Sequence, residues 1–253
     1  MKNLISVTLF LTFWLIIFSP ICAQTHTDEN GSEKQPNKVF LIDDFENDRV
    51  GRLPHKWYNR DGERRPFLYP EEERASYKYQ VVEENGNKYL HYDGTRAKHI
   101  NFPLLYREDL NIYETPILRW RWRVHEIPEG GNEGDEDRND TAASIYVVFD
   151  MGRVALFKKV PKSIRYTWSS TLKEGTELSE FFGNQKIVVM KSGTEGLGRW
   201  HTFQRNIVED YRRLFGDDPP EKPLAILLLS DGNSTGQRAV ADYDDIALLP
   251  VMQ

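Results

Sequence analysis

From residue 38 onward the chain is made of short segments in which apolar and polar positions alternate or β-branched residues dominate, separated by clusters of Gly, Pro, Asn and Asp. Segments of this kind read as strands. The pattern predicts twelve: Lys38–Asp44, Tyr77–Val82, Lys88–Tyr92, Ile100–Tyr106, Ile117–His125, Ala142–Asp150, Arg153–Lys159, Ile164–Trp168, Lys186–Met190, Arg199–Arg205, Leu224–Leu229 and Ala239–Leu249. No strand-helix-strand rhythm runs through them, so a parallel sheet with covering helices is not expected. The economical way to bury so many half-apolar strands is an all-β, two-sheet antiparallel β-sandwich.

One helix stands out. Asn206 is placed to cap it and Glu209 follows three residues later, as in a capping box. Ile207, Val208, Tyr211, Leu214 and Phe215 then share a face, and Gly216 with Pro219-Pro220 ends the run. A helix closing one end of the sandwich is the expected role.

The strand Leu118-Arg119-Trp120-Arg121-Trp122-Arg123-Val124 carries the strongest pattern. Its period of two puts Leu118, Trp120, Trp122 and Val124 on one face and three arginines on the other. The tryptophans are therefore expected in the core. Three like charges along one side repel unless carboxylates or an anionic ligand face them, which leaves two readings open. One is cross-strand ion pairing. The other is a polar groove in which Arg121 and Arg123 donate to hydroxyls or carboxylates, with Tyr146, Trp168 and Arg205 on neighbouring strands completing a ligand-binding set.

The amino terminus adds an address. Lys2, the apolar run Leu4–Phe18 and the segment Ser19–Ala23 have the order of a secretory signal peptide, residues 1–23. The apolar run is shorter than the roughly twenty residues of a membrane-spanning helix. Lipidation of Cys22 is the rival reading, opposed by the bulky Ile21 before it. Residues 24–37 are polar and read as a tether, leaving 38–250 as one domain. Cleavage removes Lys2 and the only cysteine, so the exported part has 32 basic and 39 acidic residues and no thiol. Thiol catalysis and disulfides are then excluded, and the acidic balance argues against a nucleic-acid partner.

Chemical motifs fail in context. Asp135, Asp137 and Asn139 alternate like calcium ligands within the loop 126–141, which holds seven acids, but Asp140 stands where the turn glycine belongs and Tyr146 where the bidentate Glu belongs. A solvated acidic loop is expected. Gly232-Asn233-Ser234-Thr235-Gly236 fits the nucleophile-elbow formula, yet no histidine follows it to serve as base.

Asp43-Asp44-Phe45-Glu46 near the start of the domain and Asp242-Tyr243-Asp244-Asp245-Ile246 near its end resemble carbohydrate-binding jelly-rolls of the galactose-binding-like class. That resemblance implies a structural calcium ion held by Asp44, Glu46 and Asp244; the alternative is that these are strand-end acids facing solvent. A broader resemblance rests on Arg119–Val124, Ile145–Phe149, Tyr166–Ser170, Arg205–Arg213 and Tyr243–Ile246. Together these resemble the domain-of-unknown-function 3047 family of exported bacterial proteins, which implies a periplasmic location and transfers no activity. The resulting expectation is an exported, non-catalytic binding domain for a polar glycan or cell-envelope ligand. The alternative is a polysaccharide-active hydrolase or lyase, in which carboxylates such as Asp140 and Asp231 converge on a groove.

Overall fold

Each of the twelve predicted segments overlaps a strand in the computed structural model, which describes residues 39–58, 79–96, 99–150, 153–155 and 158–251. The signal-peptide and tether expectations lie outside the described residues. The first sheet has the order β12 (His201–Asn206), β5 (Ile117–Glu126), β14 (Ala239–Leu249), β3 (Asn87–Gly94) and β2 (Tyr79–Glu84), with β1 (Phe40–Asp43) also paired to β14. The second runs β10 (Glu177–Glu180), β11 (Gln185–Ser192), β9 (Lys162–Ser169), β6 (Thr141–Asp150), β13 (Ala225–Asp231) and β4 (Ile100–Pro103). The short strands β7 (Arg153–Ala155) and β8 (Lys158–Lys159) pair only with each other, dividing one predicted segment in two.

The fold is the expected two-sheet sandwich with one departure from antiparallel order: β11 runs parallel to β9. The cause is β10, a strand not expected from the sequence because Leu178 is its only large apolar residue. After β9 the chain crosses to the sheet edge, forms β10, and turns sharply through a 3-10 turn (Phe181–Gly183) into β11, which pairs antiparallel with β10.

The core lies between the sheets. Leu118, Trp120, Trp122 and Val124 of β5 are all fully buried, as their alternation predicts. Trp120 bridges the layers, stacking on Tyr166 of β9 with ring centroids 5.4 Å apart and on Phe203 of β12 at 5.7 Å. Emptying such a site costs about 3–5 kcal/mol. On β14 the inward set is Ala239, Ala241 and Tyr243 and then Ile246 and Leu248, a change of parity made by a bulge at Asp245. Asp245 has φ 50°, a left-handed conformation that aspartate tolerates better than most residues.

The helix α1 (Ile207–Phe215) forms where predicted. The Asn206 side chain accepts the Glu209 N–H at 3.1 Å, and Gly216 at φ 74° closes the carboxyl end. Among the described residues no helix is long and apolar enough to cross a membrane.

Candidate ligand-binding face

Alternation along β5 and β14 sets the outer face of the first sheet. Asp242 pairs in register with Arg123 and Asp244 with Arg121, so each arginine meets a carboxylate directly across the strand boundary. Arg123 Nε donates to Asp242 at 2.7 Å and its Nη1 to Glu84 at 2.8 Å. Arg121 Nη2 donates to Asp244 at 2.5 Å, and its Nε lies 3.0 Å from Asp245. Both guanidinium groups also cover the ring of Trp200, at 4.7 and 4.8 Å.

Asp242 accepts two more bonds, from His91 at 2.6 Å and His125 at 2.7 Å. Its burial opposes ionisation, but these histidines and Arg123 outweigh that and hold its carboxyl below the ordinary range. Arg121 and Arg123 thus take part in cross-strand ion pairs, the first of the two open readings of the arginine face.

The five residues proposed from sequence as one ligand set are not brought together. Arg121 and Arg123 lie on the first sheet, and Tyr146 lies on the outer face of the second. Trp168 points into the core with Ile164 and Tyr166, its Nε1 donating to the Gly193 carbonyl at 2.9 Å, because the same period of two that turns Arg165 outward turns Trp168 inward. Arg205 is locked to Asp210 of α1, its Nε donating at 2.7 Å while the Tyr166 hydroxyl donates to the same carboxylate at 2.8 Å. It fastens the helix to the sandwich.

The acids assigned to calcium each have a partner of their own. Asp244 holds Arg121 and Asn87, Asp44 accepts the Glu46 N–H at 3.3 Å, and Glu46 accepts the Lys88 N–H at 2.9 Å. Among the described residues no cluster of three His, Cys, Asp or Glu side chains can hold a metal ion. At Asp244 the carboxylate is already paired with the Arg121 guanidinium.

The outer face of the second sheet is where chemistry collects. A cavity of about 250 Å³ is lined by His99, Tyr146, Val148, Ser163, Phe181 and Gln185, among others. The His99 ring meets Tyr146 edge-on, with centroids 5.2 Å apart. Phe181, which lines the cavity, is 49% exposed and the adjacent Phe182 89%, and both adopt left-handed backbone, φ 49° and 58°. For a residue other than glycine that conformation costs roughly 1–2 kcal/mol. Two consecutive strained aromatics turned to solvent are unusual, and backbone strain of this kind concentrates at binding sites.

Further along the same face is a buried polar group. Arg165, 2% exposed, is the register partner of Tyr146 and lies over its ring at 5.4 Å. The Thr167 and Ser169 hydroxyls donate to Glu133 at 2.8 and 2.6 Å. Asp231 accepts the Thr141 N–H at 3.2 Å, and burial pushes its carboxyl up to about 7. Asp140 is fully buried and caps the turn after β13, accepting N–H bonds from Ser234 at 3.0 Å and Thr235 at 2.6 Å. The loop 126–141 is therefore not simply a solvated acidic loop: two of its acids, Glu133 and Asp140, are structural. Gly232 belongs to the same turn, where a Cβ would sit 2.0 Å from the Gln237 carbonyl oxygen.

Sequence reasoning missed Arg165, His99, Phe181, Phe182 and Gln185. The alternation of Ile164, Tyr166 and Trp168 with Arg165, Thr167 and Ser169 contained the signal for the first. Both faces lie within the span where a family model described as "Protein of unknown function (DUF3047)" matches, residues 64–247. The chain belongs to this family. None of the curated proteins matches it.

Among solved structures, the chain is similar to the family 11 carbohydrate-binding module of a cellulosomal cellulase of Clostridium thermocellum, at 10% identity and TM-score 0.42, covering 86% of this chain and 98% of that one. A family 30 carbohydrate-binding module from the same organism is similar at 8% identity and TM-score 0.41, covering 85% and 99%. An exo-beta-agarase is similar at 10% identity and TM-score 0.37, covering 85% of this chain and 25% of that chain.

Proposed function

We propose that this DUF3047 protein is an exported, non-catalytic domain that binds a glycan on the outer face of its second sheet. The observation that carries the reading is the pair Phe181-Phe182, exposed and held in left-handed backbone, with Phe181 lining a cavity formed in part by Tyr146 and His99. Aromatic rings present flat apolar area to the C–H face of a sugar, while Ser163 and Gln185 supply hydrogen bonds to its hydroxyls. A non-catalytic role is supported by the state of the nearby acids. Asp140 is committed to the Ser234–Thr235 turn, and both Glu133 oxygens are bonded to hydroxyls. Export is supported by Lys2, the apolar run to Phe18 and Ala23.

The test is calorimetric titration with a panel of soluble β-glucan, xylan, mannan, polygalacturonate and alginate. At least one should bind saturably without release of shortened or unsaturated products. Replacing Phe182 by Ala should weaken binding by about 2- to 10-fold, the range expected for one aromatic contact. Absence of binding across the panel, or unchanged affinity in both Phe182→Ala and Tyr146→Ala, would refute the proposal.

A further inference from the structure

Strand register sets a polar pair beside an apolar row in the cavity on the second sheet. Gln185 of β11 pairs in parallel register with Ser163 of β9, so the two side chains stand next to each other on the outer face. Across the antiparallel ladder Ser163 faces Val148 of β6, and one step along the same face Tyr146 of β6 faces Leu227 of β13. Val160 and Pro161, just before β9, add further apolar wall. No Asp, Glu, Lys or Arg is among the described residues that line the space, so the group it takes is uncharged.

The polar pair is unbonded. Among the described residues nothing hydrogen-bonds the Ser163 hydroxyl or the Gln185 side-chain amide, and both keep accessible surface in the cavity. At about 250 Å³ the cavity is smaller than the roughly 300–1,000 Å³ of sites for drug-sized ligands, so it takes one sugar unit with its substituent and not a length of chain. A fully hydroxylated unit would press hydroxyls on Val148, Val160, Pro161 and Leu227, where nothing answers them.

We infer that the cavity is a subsite for an acetyl group carried on a neutral sugar of the bound chain. The Gln185 amide N–H and the Ser163 hydroxyl donate to the two lone pairs of the acetyl carbonyl oxygen, and the methyl lies against Val148 and Leu227. Gln185 Oε1 stays available to a ring hydroxyl. A deoxy sugar would bring a methyl without the acceptor, and a uronate would bring a charge with no counter-ion among the lining residues. The inference rests on the glycan-binding reading above.

The experiment is calorimetric titration of the whole protein with O-acetylated xylan and mannan, each beside the same polymer after alkaline deacetylation, and with tri-N-acetylchitotriose beside cellotriose. One buried methyl is worth about fourfold in affinity and one hydrogen bond about 2- to 12-fold, so the acetylated member of at least one pair should bind about fivefold or more tightly than its partner. The last pair separates the two sources of the group: a preference confined to it assigns the acetyl to an amide, and one confined to the polymers assigns it to an ester. Gln185→Leu, which keeps the bulk and removes the donors, and Ser163→Ala should each lower the acetylated-to-bare affinity ratio by about twofold or more. Neither side chain bonds to the rest of the protein among the described residues, so both variants should fold. Equal affinity within every pair, or a preference unchanged in both variants, overturns the subsite and leaves the glycan reading standing. Absence of binding in every pair, with none of the other polysaccharides bound, overturns both.

Discussion

Asp231→Asn should stabilise the protein at neutral and alkaline pH and lose that advantage in acid. Asp231 is 4% exposed, and burial raises its carboxyl from 3.8 to about 7, with the negative charges of Asp140 and Glu133 adding to the shift and Arg165 opposing it. A carboxyl whose folded pKa is raised favours the protonated native state. Unfolding therefore releases a proton between the two values, and stability falls as pH climbs from about 4 to about 7. At 1.36 kcal/mol per unit, a shift of this size costs about 4 kcal/mol once the group is fully ionised. An amide carries no charge and keeps an oxygen for the Thr141 N–H, so it removes the penalty and retains the bond. With roughly 2–4 °C per kcal/mol for a domain of this size, the ceiling on the gain in Tm is roughly 8–16 °C. Thermal melts of both proteins from pH 4 to 9 should show a difference that grows to about pH 7 and then levels off. A difference independent of pH, or a variant that melts lower at pH 8 than at pH 5 relative to its parent, would refute the reasoning.

Other expectations follow from the same contacts. Phe182→Gly removes left-handed strain and should raise stability by about 1 kcal/mol in denaturant unfolding while weakening glycan binding, so a stable variant with full affinity would break the link between strain and function. Asp242→Ala leaves Arg123, His91 and His125 without their common acceptor and should cost about 3–5 kcal/mol, measured by urea unfolding at pH 7. Because Asp242 has a lowered pKa, its contribution is present above about pH 4 and disappears as pH falls through its folded value. Excess chelator should leave the melting midpoint unchanged, since Asp244 is already neutralised by Arg121; a drop of several degrees would restore calcium to the account.

The sandwich was legible because burial writes itself locally. The alternation in Leu118–Val124 placed the tryptophans in the core, and Asn206, Glu209 and Gly216 marked both ends of the helix. The candidate site was less legible, for reasons of distance along the chain. Whether Arg121 and Arg123 face ligand or carboxylate depends on the register of β5 with β14, more than a hundred residues away, and on the bulge at Asp245 that resets the parity of the last strand. Glu133 and Asp140 are lost within an acidic segment whose composition suggests solvent, while their burial depends on hydroxyls from β9 and a turn beyond β13. Trp168 was drawn toward the ligand by residue type, although its own strand period pointed it inward. Nothing local distinguishes Phe181-Phe182 from ordinary hydrophobic residues; only the return from β10 into β11 forces them into left-handed backbone and out to solvent.

The most direct test of where the glycan sits is amide hydrogen exchange of the intact protein with and without a saturating soluble polysaccharide from the titration panel. Protection should rise along β6, β9 and the Phe181–Gly183 turn and stay unchanged along β5 and β3. Protection confined to the Arg121–Arg123 face of the first sheet would contradict the account.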